Sequence, residues 1–316
     1  MSIRSPSSGG PRPPLALIAG PTASGKSGLA LELADRLAEA GRTAVIVNAD
    51  SMQVYADIPV LSAAPDAAER ARHSHRLYGD WDGAVACSAP DWAAQAKKAI
   101  DAAHADDEVP ILVGGTGMYL AVLLDGIAPI PVIAPEVRDE VRQLPVAEAF
   151  AALRLEDPES AARLRPKDGQ RIARALEVVR STGEPLYRYY GRREGGLLNR
   201  VMLHPVRFLP ERSLLVERSA QRFEHMVKAG ALREVAALLA RDLDPNLPVM
   251  RAIGVRELAA HLRGEATLEQ AQEQAQIATR RYAKRQSTWF RRQPPPEWPI
   301  AGTREEALSH FERLLG

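Results

Sequence analysis

The sequence contains a single cysteine, Cys87, so it can form no internal disulfide and offers no cysteine cluster to a metal ion. The simplest expectation is a reduced, cytoplasmic setting. No stretch approaches ~20 uninterrupted apolar residues, the length that a helix needs to cross a bilayer, and we therefore expect no membrane partner. The seven histidines have no metal-ligand spacing. These absences argue against disulfide-rich, membrane-spanning and histidine-based metal proteins.

An excess of charge of either sign is also lacking, since the formal net charge is +1. A role in nucleic-acid binding would therefore need uneven placement of charge along the chain. With 316 residues, 46% apolar and 26% charged, the chain has a globular composition and can form one large domain or two modest ones. Residues 1–14 are rich in Ser, Pro and Gly and lack the apolar core of a secretion signal, so we predict a disordered lead there.

Short apolar runs alternate with stretches of helical periodicity in the first part of the chain. The helical spacing of Leu29, Leu33 and Leu37 predicts a helix that ends near Gly41. Nearly continuous apolar strands that alternate with helices predict a parallel sheet covered by helices on both faces. The predicted strands are residues 15–19, 43–47 and 109–113.

The pattern changes after a cluster of prolines at positions 129, 131 and 135. From there the chain reads as charged helices, until a strand at 201–209 returns to the sheet and consecutive helices follow to about residue 293. We predict a discontinuous α/β core of the P-loop NTPase-like class over residues 15–134 and 200–316. A helical insertion domain is predicted over residues 135–199.

A glycine-rich loop carries the clearest motif. Residues 20–27 fit the pattern G-x-x-x-x-G-K-[ST] and lie between the first predicted strand and the first predicted helix. Glycines let such a loop wrap so that backbone N–H groups converge on phosphate oxygens at the helix N-terminus. Lys26 adds a mobile positive charge, and the Ser27 hydroxyl can ligate Mg²⁺. The predicted diphosphate- or nucleotide-binding residues are Gly20, Pro21, Thr22, Ala23, Ser24, Gly25, Lys26 and Ser27.

An acidic side chain is missing from a place where many phosphate-loop proteins hold Mg²⁺. The predicted strand 109–113 runs into Gly-Gly-Thr-Gly, whereas Asp50 follows the preceding strand and is the obvious carboxylate facing the loop. Ligands of open α/β sheets bind at the carboxyl ends of the strands, which favours a functional role for Asp50. Three roles stay open from the residues alone: metal-site acid, general base, or structural cap of a turn or helix.

Basic residues recur at helical spacing. Arg218 and Arg222 are four apart, so one helical face can present both to the diphosphate. Arg171 and Arg174 are three apart, and a solvated basic face is the alternative for this pair. Residues 280–292 hold six basic and three aromatic residues with no acid, which indicates an RNA-binding surface. The alternative is that these aromatic side chains are core and the charges face solvent.

Five segments, in order, resemble the tRNA dimethylallyltransferase family. They are Gly-Pro-Thr-Ala-Ser-Gly-Lys-Ser at 20–27, Asn-Ala-Asp-Ser-Met-Gln-Val-Tyr at 48–55, Val-Gly-Gly-Thr-Gly-Met-Tyr at 113–119, Asp-Gly-Gln-Arg-Ile-Ala-Arg-Ala-Leu-Glu at 168–177 and Ala-Lys-Arg-Gln-Ser-Thr-Trp-Phe at 283–290. The resemblance implies a Mg²⁺-dependent transfer of a dimethylallyl group from dimethylallyl diphosphate to N6 of adenosine 37, beside the anticodon of tRNA. Asp50 would then act as the general base. The predicted catalytic residues are Asp50, Thr22, Lys26, Arg218 and Arg222.

The resemblance also implies a partner, the tRNA anticodon stem-loop, whose target base must leave its stack to react. We expect a monomer. The predicted tRNA-binding residues are Asp50, Ser51, Met52, Gln53, Thr116, Arg138, Gln170, Arg171, Ile172, Ala173, Arg174, Arg251, Arg256, Lys284 and Arg285. Many family members have Gly-Thr-Ala-Lys-Pro where this chain has Val-Leu-Ser-Ala-Ala-Pro at 60–65, so no contact is carried over for the missing lysine.

Three alternatives to this function remain at this point. One is a P-loop kinase that uses ATP and acts on a small molecule. The second is a noncatalytic RNA-binding regulator, which would bind tRNA without forming a product. The third is the same alkyl transfer to a free adenine nucleotide, which would have no need of the basic segment near the C-terminus.

Overall fold

The structure is a computed structural model, and it describes residues 12–315. Most of the predicted lead lies outside this range, but its last residue, Pro14, already opens the first strand. The strands are β1 (Pro14–Ala19), β2 (Ala44–Asn48), β3 (Ser74–Arg76), β4 (Val109–Gly114), β5 (Gly126–Ile127), β6 (Glu194–Gly195), β7 (Met202–Phe208) and β8 (Ile300–Ala301).

The helices of the first part are α1 (Lys26–Glu39), α2 (Pro59–Ser62), α3 (Ala67–Arg72), α4 (Ala89–Ala105) and α5 (Gly117–Asp125). Those of the middle part are α6 (Pro135–Gln143), α7 (Val146–Glu156), α8 (Pro158–Arg163) and α9 (Gly169–Thr182). The last part contains α10 (Arg212–Ala229), α11 (Ala231–Ala240), α12 (Val255–Leu262), α13 (Leu268–Arg292) and α14 (Arg304–Ser309). Short 3₁₀ turns occupy Leu186–Tyr189, Val249–Arg251 and Glu312–Leu314.

Six strands form one sheet in the order β3-β2-β4-β1-β7-β8, and every neighbouring pair is parallel. The apolar strand β1 lies inside the sheet, and alternate residues of it enter two different cores. Leu15 and Leu17 pack on one face, whereas Ala16 and Ile18 pack on the other. Burial on both faces explains why β1 is apolar without alternation, and it confirms the predicted parallel sheet with helices on both sides.

The carboxyl ends of these parallel strands lie at one edge of the sheet, and each leads into a segment that carries polar residues. The phosphate loop at 20–27 follows β1, Asp50 follows β2, and Thr116 follows β4. Arg304 follows the edge strand β8 in the same way. Parallel topology therefore gathers residues that are far apart in sequence, at the edge where open α/β sheets bind ligands.

The chain divides into two compact units, of which the smaller is Asp125–Gly196. The predicted insertion spans residues 135–199, and the smaller compact unit extends further towards the N-terminus. The difference arises because β5 pairs antiparallel with β6 and closes the unit. Strands of two residues leave no periodic pattern in a sequence.

Inside the smaller unit, helices α6 to α9 surround their own apolar core. Leu153, Ile172 and Leu176 are fully buried there. Glu177 is also buried, and its carboxylate forms salt bridges with Arg142 at 3.1 Å and with Arg174 at 3.4 Å. A buried carboxylate needs such partners, since an unpaired buried charge is costly.

The larger unit contains β1–β4, β7 and β8 with the helices packed on them. Of the helices that the structure describes, none combines the length and apolar character needed to cross a bilayer.

Candidate active site

The phosphate loop between β1 and α1 has the backbone that its glycines predict. Gly25 adopts φ 90°, in the left-handed region that glycine tolerates, and Ala23 adopts φ 61°. Gly20 faces the backbone of β7 closely, since a Cβ at this position would lie 2.4 Å from the carbonyl oxygen of Phe208. A side chain at Gly20 would therefore push the loop away from the sheet.

The buried amide of Gln286, on α13, holds this loop in place. Its Oε1 accepts a hydrogen bond from the backbone N–H of Thr22 at 2.8 Å. Its Nε2 donates to the carbonyl of Gly115, just beyond β4, at 2.9 Å. The loop is thereby fixed between two strand ends and the long C-terminal helix.

Lys26 is buried, and its ammonium donates to the carbonyl of Pro21 at 3.3 Å. Burial lowers the pKa of Lys26 from 10.5 to about 8; the Asp50 carboxylate opposes this shift and the Arg222 guanidinium adds to it. The lysine is thus a cation held in a desolvated place, where an added anion would be strongly attracted.

Asp50 is half-buried just beyond β2, and its position is fixed by its neighbours. The side chain of Asn48 accepts from the backbone N–H of Asp50 at 2.8 Å and donates to its carbonyl at 3.0 Å. The carboxylate Oδ1 accepts from the backbone N–H of Met52 at 3.0 Å. Its Oδ2 accepts no hydrogen bond from residues 12–315, so one carboxylate oxygen remains available to accept a proton.

A cavity of about 640 Å³ opens beside the phosphate loop, and we call it the phosphate-loop cavity. Its charged lining consists of four cations, Lys26, Arg218, Arg222 and Arg304, and three carboxylates, Asp50, Asp66 and Glu69. Arg218 Nη1 also donates to the carbonyl of Ser24 at 3.0 Å, which ties α10 to the loop. The lining includes Ala23, Gly25, Lys26, Ser27, Asp50, Gln53, Arg218, Arg222 and Arg304.

A second cavity, of about 300 Å³, shares Asp50, Ser62 and Arg222 with the first, and we call it the apolar-walled cavity. Thr22, Ser51 and Tyr282 supply hydroxyl groups to it. Its apolar wall consists of Met52, Ile58, Leu61, Phe223, Met226, Ala252 and Ile253. One carboxylate, that of Asp50, therefore stands where the cavity beside the phosphate loop and the cavity with an apolar wall adjoin.

Comparison with known proteins shows the family to which the chain belongs. A sequence model described as IPP transferase matches residues 53–293, which is most of the chain. The chain belongs to the IPP transferase family. The match begins after the phosphate loop and Asp50 and ends before α14, so the family model itself leaves parts of both cavities outside its span.

Relatives within this family are close. A tRNA dimethylallyltransferase of Erythrobacter litoralis is 57% identical over 296 residues, which covers 94% of this chain and 93% of the relative. A tRNA dimethylallyltransferase of Sphingopyxis alaskensis is 56% identical over 285 residues, covering 90% of this chain and 92% of the relative.

Solved structures share the fold. The crystal structure of a tRNA isopentenylpyrophosphate transferase of Bacillus halodurans has a TM-score of 0.66 at 28% identity and covers 95% of both chains. A eukaryotic dimethylallyltransferase captured acting on tRNA has a TM-score of 0.76 at 26% identity, covering 88% of this chain and 70% of that one.

The structure brings most of the predicted catalytic residues of this family member together. Lys26, Arg218 and Arg222 line the phosphate-loop cavity, and Thr22 and Asp50 line the apolar-walled cavity. Sequence left open which arginine faces the diphosphate. Both line the cavity beside the loop, but only Arg222 also lines the second cavity. Gly20 and Pro21 are buried parts of the loop and line neither cavity.

The residues predicted to bind tRNA in the larger unit fall into two groups. Ser51, Met52, Arg251 and Arg285 join Asp50 in the lining of the apolar-walled cavity. Lys284 instead lines a separate groove between α10 and α13, and Arg256 is exposed on α12 outside both cavities. Gln53 lines the phosphate-loop cavity, but its amide donates to the carbonyls of Ser62 and Ala63. Thr116 accepts from the Ser51 backbone N–H at 3.0 Å and so orients the Asp50 segment.

In the smaller unit, the predicted tRNA-binding residues differ in exposure. Arg138, Gln170 and Arg171 are exposed, whereas Ala173 and Arg174 are half-buried. Ile172 is fully buried in the core of that unit, so its side chain is unavailable for contact in this structure. Helical periodicity around Ile172 accounts for this, since the residue lies on the apolar face of α9.

The residues present fit a magnesium ion. Among residues 12–315 no three His, Cys, Asp or Glu side chains cluster into a metal site of their own. Ser27 and Asp50 both line the phosphate-loop cavity. Mg²⁺ commonly takes one or two protein oxygens, several waters and the phosphate oxygens of its substrate. The Ser27 hydroxyl and the oxygens of a diphosphate, completed by water, would form such a set of ligands.

Two residues of the site were not predicted from the sequence. Tyr282 lines the apolar-walled cavity, and burial together with the nearby Asp50 charge raises its pKa to about 12. Thr279, Tyr282 and Gln286 lie at i, i+3 and i+7 of α13, a helical spacing that could have indicated their common face. Arg304 follows a two-residue edge strand, for which no sequence pattern exists.

Proposed function

We propose that the chain transfers a dimethylallyl group from dimethylallyl diphosphate to N6 of adenosine 37 in tRNA. The observation that carries this proposal is the position of Asp50, which lines both the phosphate-loop cavity and the apolar-walled cavity. A donor with a polyanionic end and a five-carbon apolar end matches this pair of cavities. The same carboxylate is in place to act on the nucleophile.

The phosphate loop and the arginines of α10 are proposed to bind the diphosphate. Backbone N–H groups of the loop, with Lys26, Arg218 and Arg222, would face its oxygens. Negative charge grows on the diphosphate as the bond to the allylic carbon breaks, and cations aimed at that charge typically lower a barrier by several kcal/mol. When bound, Mg²⁺ would be held by the Ser27 hydroxyl and diphosphate oxygens and would add to this neutralisation.

The acceptor half of the reaction is assigned to Asp50. The N6 amine attacks C1 of the dimethylallyl group, the C1–O bond to the diphosphate breaks, and pyrophosphate leaves with the bonding electron pair. The amine loses one proton, and we assign its acceptance to the Oδ2 atom of Asp50, which accepts no hydrogen bond from residues 12–315. An allylic carbon tolerates developing positive charge, so a weak amine nucleophile suffices. Thr22 supplies a hydroxyl to the same cavity and is proposed to position the reactants.

The adenine must leave its stack to reach Asp50, which costs a few kcal/mol and less in a loop than in a duplex. Arg251 and Arg285 line the apolar-walled cavity and are proposed to receive the anticodon loop. In the smaller unit, the exposed Arg138, Gln170 and Arg171 are proposed to contact the anticodon stem-loop. The protein would act as a monomer in the cytoplasm, where tRNA is available.

The kinase alternative is not favoured. A kinase would have no use for the apolar wall of the second cavity, whereas the prenyl end of an allylic diphosphate would pack against it. The named relatives are tRNA dimethylallyltransferases. The RNA-regulator alternative leaves the paired cavities unexplained, since a protein that only bound tRNA would need no site for a diphosphate.

The test is to incubate the protein with dimethylallyl diphosphate, Mg²⁺ and unmodified tRNA without ATP, and to weigh the RNA and its nuclease fragments. One dimethylallyl adduct on an anticodon-loop fragment is the expected result. A parallel incubation with ATP and no allylic diphosphate should leave the RNA mass unchanged. Absence of the adduct in the first mixture would reject the proposal.

A further inference from the structure

The guanidinium of Arg304 lies against the first turn of α1, directly beside the phosphate loop. A Cβ built on Gly28 would lie 2.7 Å from Nη2 of Arg304, 3.4 Å from its Cζ and 3.7 Å from its Nη1. The three nearest atoms are all in this one guanidinium. A Cβ on Gly25 would also have Arg304 Nη2 within 3.8 Å. The arginine therefore occupies the space that an absent side chain leaves open.

The C-terminal segment delivers Arg304 to this place through a short parallel strand. β8 pairs with β7 at the sheet edge, with Arg207 N donating to Pro299 O at 2.8 Å and Leu209 N donating to Ala301 O at 2.9 Å. α14 begins three residues after β8, at the same sheet edge from which the phosphate loop emerges. Its Ala307 and Leu308 are buried in the core that also contains α1, so the helix is anchored beside the loop.

Charge around Arg304 points to an anionic ligand. Among residues 12–315 no carboxylate lies within salt-bridge distance of its guanidinium. Glu306, two residues further along α14, is engaged elsewhere, because its Oε2 accepts from the backbone N–H of Gly302 at 2.7 Å. Arg304 lines the phosphate-loop cavity together with Lys26 and Arg222. Asp50, Asp66 and Glu69 also line this cavity, but none of them lies within salt-bridge distance of Arg304. A bound polyanion would therefore give its guanidinium a charged partner.

We propose that Arg304 is a diphosphate-binding residue, which reaches the phosphates over Gly28 at the first turn of α1. The identity of the ligand as an allylic diphosphate rests on the proposed function. A planar guanidinium can bind two phosphate oxygens at once, which a lysine cannot do. The matched family model ends at residue 293, so this residue is an addition to the part of the chain that the model covers.

Gly28 supplies a second way to test the contact. It lies within α1 and is not at a positive φ, so alanine there suits the helix backbone. The methyl group of Gly28→Ala would meet only the Arg304 guanidinium at close range. This substitution should therefore displace Arg304 without loss of thermal stability.

The experiment is isothermal titration of the full chain with inorganic pyrophosphate in the presence of Mg²⁺. Arg304→Ala should weaken binding roughly tenfold, which is the effect of one charge-assisted hydrogen-bonded contact. Arg304→Lys should recover part of the loss. Arg313→Ala removes an exposed arginine from the same C-terminal segment outside both cavities and should bind like wild type. Equal binding by Arg304→Ala and Arg313→Ala would overturn the proposal.

Gly28→Ala should weaken pyrophosphate binding in the wild-type background and leave the Tm no lower. In the Arg304→Ala background it should have no further effect, because the guanidinium it displaces is already gone. If the losses of pyrophosphate affinity in the two single variants added fully in the double variant, the proposed contact between Arg304 and Gly28 would be overturned.

These measurements separate the inference from the proposed function. If wild type forms no adduct on tRNA but pyrophosphate binding still depends on Arg304, the anion site stands and the transferase proposal fails. If adduct forms normally and Arg304→Ala binds pyrophosphate like wild type, the transferase proposal stands and the role of Arg304 is rejected.

Discussion

The backbone N–H of Thr22 donates a 2.8 Å hydrogen bond to the side chain of Gln286, a residue 264 positions away in the sequence. The same side chain donates to the carbonyl of Gly115 at 2.9 Å. Both bonds are buried. One amide of α13 thus fixes the phosphate loop against the turn after β4, and the geometry of the diphosphate site depends on a helix from the far end of the chain.

Gln286→Ala should have two effects: it should destabilise the protein, and it should make the phosphate loop less well fixed. The change leaves the Thr22 N–H and the Gly115 carbonyl buried without partners, at roughly 1–3 kcal/mol for each group. We expect the free energy of unfolding in urea to fall by at least about 2 kcal/mol and the KM for dimethylallyl diphosphate to rise. Gln293→Ala, at an exposed glutamine just after α13, is the matched control. An unchanged urea midpoint for Gln286→Ala would contradict this account.

The pKa of Lys26 predicts a pH limit for diphosphate use. Protonated lysine binds the diphosphate, and in the free protein burial has lowered its pKa to about 8. The kcat/KM for dimethylallyl diphosphate should therefore be flat below about pH 8 and fall tenfold per pH unit above it. Lys26→Arg keeps its charge throughout this range and should show a lower but flat profile. A wild-type profile that stays level to pH 9.5 would exclude Lys26 as a required cation.

The same pKa predicts how Lys26 affects stability. Its folded-state pKa of about 8 lies below the ordinary 10.5, so the folded protein releases this proton before the unfolded chain does. The cost of burying the charge is present below pH 8 and is relieved as the pH rises from about 8 to 10.5. The Tm of wild type relative to Lys26→Met should accordingly increase over that interval. A difference that stays constant with pH would contradict the burial of a charged Lys26.

Glu234 holds the segment that lines both cavities. Its carboxylate accepts from the backbone N–H groups of Val60 at 2.6 Å and Leu61 at 2.9 Å, which begin α2. Glu234→Gln replaces one acceptor with an N–H donor and should cost roughly 1–3 kcal/mol in unfolding free energy. The KM for both substrates should rise, since Ser62 of this segment lines both cavities. Glu224→Gln, exposed on α10, controls for the loss of charge; equal behaviour of the two variants would dismiss the role of Glu234.

Lys284 and Arg285 are neighbours with different surroundings, and their alanine variants should differ in their effect on the transfer rate. Arg285 lies over the Tyr282 ring at 5.6 Å and lines the apolar-walled cavity, whereas Lys284 lines the groove between α10 and α13. Each alanine variant should reduce the salt slope of tRNA binding by about 0.7. Only Arg285→Ala should also slow transfer at saturating tRNA. A rate loss shared equally by both variants would refute this division.

Prediction from sequence succeeded where burial imposes a pattern. β1, β2, β4 and β7 are inner or long strands with apolar runs, and each was predicted to within one or two residues. The phosphate loop was readable because its glycines are required by the backbone itself. The edge strands β3 and β8 were missed, since three or two residues at a sheet edge carry no apolar signature.

The candidate site was predictable in its motifs but not in its assembly. Asp50, Lys26 and Arg222 could be inferred from their places after strands or on helix faces. Arg304 could not, because its position depends on how β8 pairs with β7 rather than on any local spacing. From the sequence, Tyr282 could be assigned only to a basic segment, and its place in the site follows from the cavity that it lines with Asp50.

The most direct test of the account is a single-turnover assay of Asp50→Asn with an anticodon stem-loop and dimethylallyl diphosphate. Asparagine keeps the oxygen that accepts from Met52 N–H at 3.0 Å and removes the base. The transfer rate should fall by at least about 100-fold, while affinities for the stem-loop and pyrophosphate stay near those of wild type. Asp106→Asn, at an exposed aspartate after α4, should retain full activity. Transfer by Asp50→Asn at the wild-type rate would contradict the claim that this carboxylate takes the proton from the amine.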